Sequence, residues 1–236
     1  MTGPSRPSPT AATSIGHPRS SSRLAARRSS GIPGEQEFAG KGVSYCAICD
    51  GAFFRNQTIA VVGGGDAAVE EADFLTRYAS KVYVVHRRDS FRASKILQER
   101  LFENPKIEVV WNSVAEEVLG DEQGLMKGLV IRNVETNVTS TLDATGCFIF
   151  IGFRPNTGII DGHFAHDAMG YVVTDNMMQT SIPGLFAAGD LRSQLTRQVT
   201  TAVGDATTAA IAVEKFLKSR NEGGDIDPLG SGGYAV

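Results

Sequence analysis

Two cysteines separated by two residues are the groups in this sequence with the clearest capacity for chemistry. Cys46 and Cys49 have the spacing at which two thiols can close a small disulfide ring, and Asp50 follows at once. A helix that begins here would lower the pKa of the first thiol, and the carboxyl group could pass a proton to a departing thiolate. The alternative is a pair of small buried hydrophobic residues beside a turn aspartate. We favour a redox pair.

The remaining cysteine and the histidines give little support to a metal site. Zinc normally needs two further ligands at similar spacing, and the sequence has no second C-x-x-C and no H-x-x-x-H pattern. Cys147 stands in an apolar run, where we expect an inert core residue. His163 and His166 are expected in a solvated loop. We therefore predict no metal.

A glycine-rich turn predicts a loop that binds the phosphates of a nucleotide. The apolar run Thr58–Val62 is typical of a strand, and Gly63-x-Gly65-x-x-Ala68 and an apolar helix follow it. Gly63 permits the tight turn, Gly65 lets the backbone approach a pyrophosphate, and Ala68 allows the helix to pack closely on the sheet. The residues assigned to this loop are Gly63, Gly65, Asp66, Ala67 and Ala68.

The residues after the second strand indicate which nicotinamide cofactor is bound. An NAD site would place an acidic residue there to hold the ribose 2′-hydroxyl. The strand Val82–Val85 is followed instead by His86, Arg87 and Arg88, with Arg92 a turn later. Guanidinium groups match a 2′-phosphate, whereas a carboxylate would repel it. The alternative is a solvated basic turn paired with nearby acidic side chains. We favour NADPH, with these four residues at the site.

Strands and helices alternate along residues 35–155, which predicts an α/β fold: a doubly wound, Rossmann-like domain with an antiparallel insertion. We assign this domain to NADPH and to the cysteine pair, and we assign residues 156–220 to a second segment. In that segment, a strand at Leu185–Ala188 is expected to lead to a helix over 199–217. The other predicted elements are a helix over 94–102, a strand over 107–111, a hairpin formed by 128–134 and 139–142, and a strand over 148–151.

The two ends of the chain differ in composition from the middle. Residues 1–34 are rich in Ser, Pro and Arg and have no acidic side chain, which predicts a disordered leader and also resembles an organellar transit peptide. Residues 221–236 are glycine-rich and are expected to form a disordered tail. A net charge of −3 gives no attraction to nucleic acid or to anionic membranes. We expect a soluble protein, most simply in the cytoplasm.

Five motifs in one order resemble the low-molecular-weight thioredoxin reductases, a group of FAD- and NADPH-dependent pyridine nucleotide-disulfide oxidoreductases. The resemblance runs from about Gly31 to Leu217. The motifs are Gly42–Gly51, Val62–Glu71, His86–Ala93, Phe150–Thr157, and Gly189-Asp190 together with Arg197-Gln198.

The resemblance implies an NADPH domain inserted into an FAD domain that is built from two chain segments. Electrons would pass from NADPH to FAD, then to the Cys46–Cys49 disulfide and on to thioredoxin. Cys49 would face the flavin, Cys46 would attack the disulfide of the partner, and Asp50 would act as the acid–base group. A homodimer is also implied. Asp190 would contact the ribityl and pyrophosphate part of FAD, and the other implied cofactor contacts are Gly152, Gly189, Arg197, Gln198 and Val199.

The sequence departs from that family ahead of the cysteine pair. The strand, glycine motif and helix that hold the ADP part of FAD have no counterpart before Cys46. We therefore expect that half of the flavin domain is absent and that FAD binds weakly. Two other functions stay open: a non-catalytic NADPH-binding module, and a related flavoprotein reductase that acts on another disulfide or dithiol.

Overall fold

Hydrogen-bonded strands form two sheets in the N-terminal part of the protein. The computed structural model describes residues 29–152, 155 and 164–222. Residues 28–152 form one compact unit, and the described residues from 155 onward belong to a second. In chain order the first unit contains β1 (Val43–Ser44), α1 (Ala47–Asp50), β2 (Thr58–Gly63), α2 (Asp66–Leu75), β3 (Lys81–Val85), α3 (Lys95–Glu103), β4 (Ile107–Val110), β5 (Ser113–Gly120), β6 (Met126–Asn133), β7 (Thr139–Asp143) and β8 (Gly146–Phe150).

The larger sheet is parallel, and its strand order places three functional segments side by side. The order is β1-β8-β2-β3-β4, with every neighbouring pair parallel. The carboxyl ends of β8, β2 and β3 are therefore adjacent along one edge. Open α/β sheets bind their ligands at this kind of edge. The smaller sheet, β5-β6-β7, is antiparallel.

Alternation of apolar residues along the central strands explains the layering of the unit. Ile59 and Val61 of β2 pack in one core cluster, whereas Ala60 and Val62 pack in another. Successive side chains of a strand point to opposite faces, so β2 must be covered on both sides. Helices α2 and α3 cover the first face, and the antiparallel sheet covers the second. The unit therefore has three layers.

The described residues of the second unit form one long helix and a set of turns. Helix α4 spans Val199–Glu222, and a 3-10 turn spans Gly189–Leu191. Asp205 of α4 accepts a hydrogen bond from the backbone N–H of Gly189 at 3.0 Å and pairs with the Arg192 guanidinium at 2.8 Å. The helix therefore holds this turn through one partly buried carboxylate. Within the described residues, no helix combines the length and the apolar composition that a membrane span requires.

The structure confirms the mixed α/β fold with its antiparallel insertion, and it corrects two details of the predicted elements. The strand predicted at Leu185–Ala188 is wrong, because Phe186 forms only an isolated bridge to Gln179. Two backbone hydrogen bonds flank this bridge, from Thr180 N–H to the carbonyl of Leu185 and from Ala187 N–H to the carbonyl of Met178, and the pairing does not extend into a strand. Strand β5 was not predicted, since its two central glutamates interrupt the apolar pattern.

Several predictions fall on parts of the chain that are described incompletely. The leader as far as residue 28, the tail from residue 223, His163, and Asn156–Thr157 lie outside the described residues. The last residues of the predicted leader are part of the fold, because the carbonyl of Pro33 accepts a hydrogen bond from the backbone N–H of Val118 at 3.0 Å. His166 is exposed, as expected for a loop.

Candidate functional site

The cysteine pair forms a disulfide at the start of a short helix. Cys46 and Cys49 are bonded, with their Cα atoms 5.3 Å apart. Cys46 is the N-cap of α1 and has an extended backbone, so the chain turns from β1 into the helix at this residue. Cys49 is exposed and Cys46 is half-buried. The bond is therefore accessible to a reductant or to a second disulfide.

A buried hydroxyl holds the carboxylate beside the disulfide. Ser44 Oγ donates a 2.6 Å hydrogen bond to Asp50 Oδ2 and accepts a 3.1 Å hydrogen bond from the backbone N–H of Cys46. Ser44 therefore connects the carboxyl group to the first cysteine. The sequence analysis assigned a function to Asp50 but missed Ser44. The available signal was a polar residue in β1, a strand that is otherwise buried and ends two residues before the cysteine pair.

A buried carboxylate, that of Glu35, anchors the chain ahead of the disulfide. Glu35 Oε1 accepts a 2.8 Å hydrogen bond from the hydroxyl of Tyr45, and its Oε2 accepts hydrogen bonds from Ser30 Oγ and the backbone N–H of Gly31. Burial, the largest single effect, would raise the pKa of Glu35, but these hydrogen bonds hold it below its ordinary value. Tyr45 directly precedes Cys46, so this pair fixes the backbone at the disulfide.

Exposed apolar side chains and a cavity flank the disulfide. Ile48 is 71% exposed and Phe53 is 75% exposed, although both are large and apolar. A cavity of about 470 Å³ lies beside Phe53, and Ser44 and Asp50 are also among its lining residues. Because the carboxyl group of Asp50 lines an open cavity, it can exchange protons with solvent or with a bound group.

The third cysteine is separate from this chemistry. Cys147 lies in β8 and is fully buried. Burial, with a smaller contribution from the Glu35 carboxylate, raises the pKa of the Cys147 thiol from 9.0 to about 12. It is therefore protonated at neutral pH and unreactive, as the sequence predicted.

The glycine loop has the shape that its sequence predicted. Gly63 ends β2 with a φ of +156°, and a Cβ there would lie 2.5 Å from the carbonyl oxygen of Phe150 and 2.6 Å from Cβ of Ala68. Only glycine fits this position. Gly65 is the N-cap of α2, has no side-chain cap, and would meet nothing within 4 Å if it carried a Cβ. The space beside Gly65 is therefore open, and the next two residues, Asp66 and Ala67, are exposed.

The basic residues emerge from the neighbouring strand. His86 follows the last residue of β3, and the side chains of Arg87, Arg88 and Arg92 are exposed. Among residues 29–152, no acidic side chain lies within salt-bridge distance of these three guanidinium groups. The alternative of a basic turn paired with nearby carboxylates therefore has no support in this structure. The three cations are available to an anionic ligand.

His86 lies beneath the glycine loop and is 7% exposed. Its ring packs directly against Gly64, and its Nε2 lies 3.1 Å from the carbonyl oxygen of Ser90. Burial, assisted by Arg87 and Arg88 and opposed by backbone hydrogen bonds, holds the pKa of His86 below its ordinary value of 6.5. The imidazole thus packs between Gly64 of the glycine loop and the turn at residues 86–92, which is called the basic turn below.

The third segment at this edge is the end of β8. Phe150 pairs with Gly63, and Gly152 follows with a φ of +102° and with open space where a Cβ would stand. The phosphate loop, the basic turn and Gly152 therefore come from three adjacent strand ends. The structure brings these predicted residues together, although they are distributed over almost ninety positions of the sequence.

The remaining predicted residues lie in the second unit. Gly189 is buried with a φ of +79°, and Asp190 follows it in the 3-10 turn. The Arg197 guanidinium lies 3.9 Å from the ring centroid of Tyr171. Val199, the first residue of α4, is 80% exposed. The backbone N–H of Gln198 donates to Thr201 Oγ1 at 3.2 Å, so the structure places Gln198 at the start of the same helix.

A family model for pyridine nucleotide-disulphide oxidoreductases matches residues 25–206 of this chain. The chain belongs to the pyridine nucleotide-disulphide oxidoreductase family. The thioredoxin reductase of Rickettsia felis (strain ATCC VR-1525 / URRWXCal2) is 53% identical over 188 residues, which cover 79% of this chain and 61% of that protein. Thioredoxin reductase 1, mitochondrial, of Arabidopsis thaliana is 51% identical over 185 residues, 77% of this chain and 49% of that protein.

The solved structures that resemble this chain are also thioredoxin reductases. The crystal structure of thioredoxin reductase from Streptococcus pyogenes MGAS5005 matches with a TM-score of 0.78 and 48% identity, over 83% of this chain and 64% of that one. Thioredoxin reductase from Giardia duodenalis matches with a TM-score of 0.72 and 38% identity, over 82% of this chain and 63% of that one. The chain thus spans less than two thirds of the length of these relatives.

Proposed function

We propose that this chain acts as a thioredoxin-disulfide reductase, which passes electrons from NADPH through FAD to the Cys46–Cys49 disulfide and on to thioredoxin. The observation that carries the proposal is that residues 28–152 hold both an accessible disulfide and a glycine loop beside unpaired arginines. Membership of the pyridine nucleotide-disulphide oxidoreductase family supports the same chemistry.

The nucleotide site fits NADPH on two observations. The open space at Gly65 and the uncapped start of α2 suit a pyrophosphate, whose charge the helix N-terminus stabilises. The exposed guanidinium groups of Arg87, Arg88 and Arg92 suit a 2′-phosphate. Gly152, which follows β8, has no side chain and open space around it, so its own backbone can approach the same ligand.

We propose that residues of the second unit contact FAD. Val199 is 80% exposed and Leu195 is fully exposed, so apolar surface stands open beside the start of α4. We assign Gly189, Asp190, Arg197, Gln198 and Val199 to FAD because the resemblance to the thioredoxin reductases implies these contacts, and the exposed surface at Val199 is compatible with the assignment. When bound, FAD supplies a carrier that accepts two electrons from a nicotinamide and passes them to a disulfide.

The residues of the chain account for the disulfide half of the reaction. Two electrons break the Cys46–Cys49 bond and leave two sulfur atoms that take up as many as two protons. Asp50, held beside Cys46 by Ser44, is placed to supply a proton to the departing thiolate and to recover it later. Cys46 then attacks the disulfide of the partner and releases one of the partner's sulfur atoms as a thiolate. Cys49 attacks the Cys46 sulfur of the resulting mixed disulfide, which releases the partner's second sulfur atom as a thiolate and restores the Cys46–Cys49 bond.

A protein is the acceptor that suits the surroundings of the disulfide. Exposed Ile48 and Phe53 form an apolar surface beside the exposed Cys49, and such patches mark protein-binding sites. We therefore propose thioredoxin as the partner. We also propose a homodimer, which the family resemblance implies, and a cytoplasmic location, because reduced thiols and NADPH coexist there. Sedimentation velocity of the purified chain tests the dimer.

The visible absorption spectrum of the full chain, with added FAD, tests the complete reaction. We expect a bound-flavin band that bleaches with NADPH and recovers when oxidised thioredoxin is added. The C46S variant should bleach but should not recover with thioredoxin. A colourless chain that still binds NADPH would overturn the reductase proposal in favour of a nucleotide-binding module.

A separate titration tests the nucleotide assignment without flavin. Adenosine 2′,5′-bisphosphate and 5′-AMP differ only in the 2′-phosphate, so their ratio of dissociation constants isolates its recognition. Replacing Arg87 and Arg88 by glutamine should weaken the bisphosphate by about 1–3 kcal/mol for each lost contact. R100Q, an exposed arginine in the last turn of α3, is the matched control. An equal ratio in all variants would show that these arginines do not bind the 2′-phosphate.

A further inference from the structure

Two backbone N–H groups attach the end of the basic turn to the glycine loop. The N–H of Arg92 donates to the carbonyl oxygen of Gly64 at 2.9 Å. The N–H of Ser94 donates to Oδ1 of Asp66 at 2.7 Å, although the two residues are 28 positions apart in sequence. The segment that carries Arg92 is therefore held directly against the first turn of α2.

Asp66 is an unexpected residue at the position it occupies. It is the first residue of α2, next to the space that would hold a pyrophosphate, where its negative charge would oppose an anionic ligand. The carboxylate instead accepts a hydrogen bond from Ser94. Hydrogen bonds to an ionised acceptor are among the stronger ones in proteins. The hydrogen bond to Ser94 therefore accounts for an aspartate at this position better than contact with a phosphate does.

Of the three arginines, Arg92 is the one whose position this attachment affects directly. The side chains of Arg87, Arg88 and Arg92 are exposed, and no acidic side chain of residues 29–152 lies within salt-bridge distance of them. Exposed side chains of this length have many rotamers, and the backbone decides where they emerge. A shift of the backbone at Ser94 would therefore move Arg92 relative to the glycine loop.

We propose that Asp66 is a positioning residue for recognition of the 2′-phosphate: its carboxylate fixes the backbone at Ser94, and with it Arg92, at the distance from the glycine loop that NADPH requires. The inference rests on the proposed function, because it deepens the assignment of NADPH to this site. Asp66 acts as a hydrogen-bond acceptor, so an amide oxygen at this position can accept the same N–H.

Isothermal titration of the full chain with adenosine 2′,5′-bisphosphate and with 5′-AMP tests the inference. The readout is the ratio of the two dissociation constants, because a general loss of phosphate affinity cancels in it. We expect D66A to reduce the preference for the bisphosphate about ten-fold, the size of one hydrogen bond to a charged group. D66N keeps an acceptor oxygen without the charge and should retain the preference within about two-fold.

The donor side of the bond provides a second variant. Ser94 has a φ of −59°, which proline also adopts, so S94P removes the N–H and leaves Asp66 intact. We expect S94P to reduce the preference as D66A does, and the double variant to lose no more than either single one. Circular dichroism of each variant checks that the chain is folded, and if D66A fails to fold, D66N and S94P decide the question.

The possible results separate the inference from the function on which it rests. If the unaltered chain binds the two nucleotides equally, the NADPH assignment is wrong. If the unaltered chain prefers the bisphosphate and S94P or D66A keeps that preference, the positioning proposal is wrong. Loss of the preference in D66N as well as in D66A would also overturn it, since the charge rather than the acceptor would then be responsible.

Discussion

Ser44 and Asp50 are joined by a 2.6 Å hydrogen bond in which the serine hydroxyl donates to the carboxylate, and the same hydroxyl accepts the backbone N–H of Cys46. The three groups come from β1, from the end of α1 and from the two-residue connection between these elements. A single buried oxygen thus sets the position of a proton carrier relative to the first sulfur. The Asp50 carboxylate is therefore held at a fixed position relative to the disulfide.

Removing that hydroxyl should slow reduction of the disulfide. We expect S44A to reduce the rate at which dithiothreitol opens the Cys46–Cys49 bond by about ten-fold, because a hydrogen bond to a charged group contributes roughly 1.5–3 kcal/mol to its position. The rate is followed by quenched thiol titration across a pH series. S44T, which keeps the hydroxyl, is the control and should reduce at the original rate. Equal rates for S44A and the unaltered chain at every pH would contradict the prediction.

The two sulfur atoms should differ in their reaction with a partner. If Cys46 attacks thioredoxin, the C49S variant should accumulate a mixed disulfide with a thioredoxin that lacks its resolving cysteine. The C46S variant should form much less of this adduct. Non-reducing electrophoresis and mass spectrometry of the adduct identify the linked cysteine. Preferential trapping by C46S would reverse the proposed order, a real alternative because Cys49 is the more exposed of the two residues.

Two glycines of the nucleotide loop should respond differently to alanine. G63A places a Cβ 2.5 Å from the Phe150 carbonyl oxygen and forces a positive φ, so we expect a loss of about 2–4 kcal/mol in the free energy of unfolding. Gly65 has a φ of −97° and open space around a Cβ. G65A should therefore change stability by less than about 1 kcal/mol. Urea unfolding of both variants measures this.

Gly63 and Gly65 should also differ in what they affect: alanine at Gly63 should lower the stability of the fold, and alanine at Gly65 should affect the binding of a ligand. G65A should weaken binding of NADPH, because its methyl group occupies the space through which a pyrophosphate would approach the backbone. A G65A variant that is as stable as the unaltered chain and binds NADPH equally well would show that the nucleotide does not contact this turn.

His86 should make the stability of the protein depend on pH. Its pKa in the folded state lies below the ordinary value of 6.5, chiefly because the ring is buried. The unfolded chain therefore binds a proton at a higher pH than the folded chain does. The free energy of unfolding should fall as the pH is lowered from 6.5 through the folded pKa.

Comparison with the H86Q variant separates the contribution of His86 to the pH dependence of stability from the contributions of the carboxylates. H86Q removes the titrating group, so the difference in free energy of unfolding between H86Q and the unaltered chain should shrink as the pH falls through this window. Chemical unfolding at a series of pH values, monitored by the fluorescence of Trp111, provides the measurement. A constant difference between pH 7.5 and the folded pKa would show that His86 does not titrate differently in the two states.

The sequence by itself determined the elements that depend on near neighbours. The strand Thr58–Gly63, the glycine turn after it and the helix that follows are specified by adjacent apolar residues and glycines, and the structure confirms them. The cysteine pair and the hairpin of β6 and β7 were predicted for the same reason. The isolated bridge at Phe186, where a strand was predicted, shows the limit: an apolar run becomes a strand only when a partner is aligned with it.

Tertiary structure alone decided which side chains act together. The bond between Asp66 and Ser94 joins positions 28 residues apart, and no local pattern distinguishes an aspartate that binds a neighbouring turn from one that faces a ligand. His86 is likewise buried beneath Gly64 because parallel pairing of β2 and β3 brings their carboxyl ends together. Hydrogen-bond partners depend on atomic positions that many distant contacts fix jointly, whereas residue types and spacing define only which groups are present.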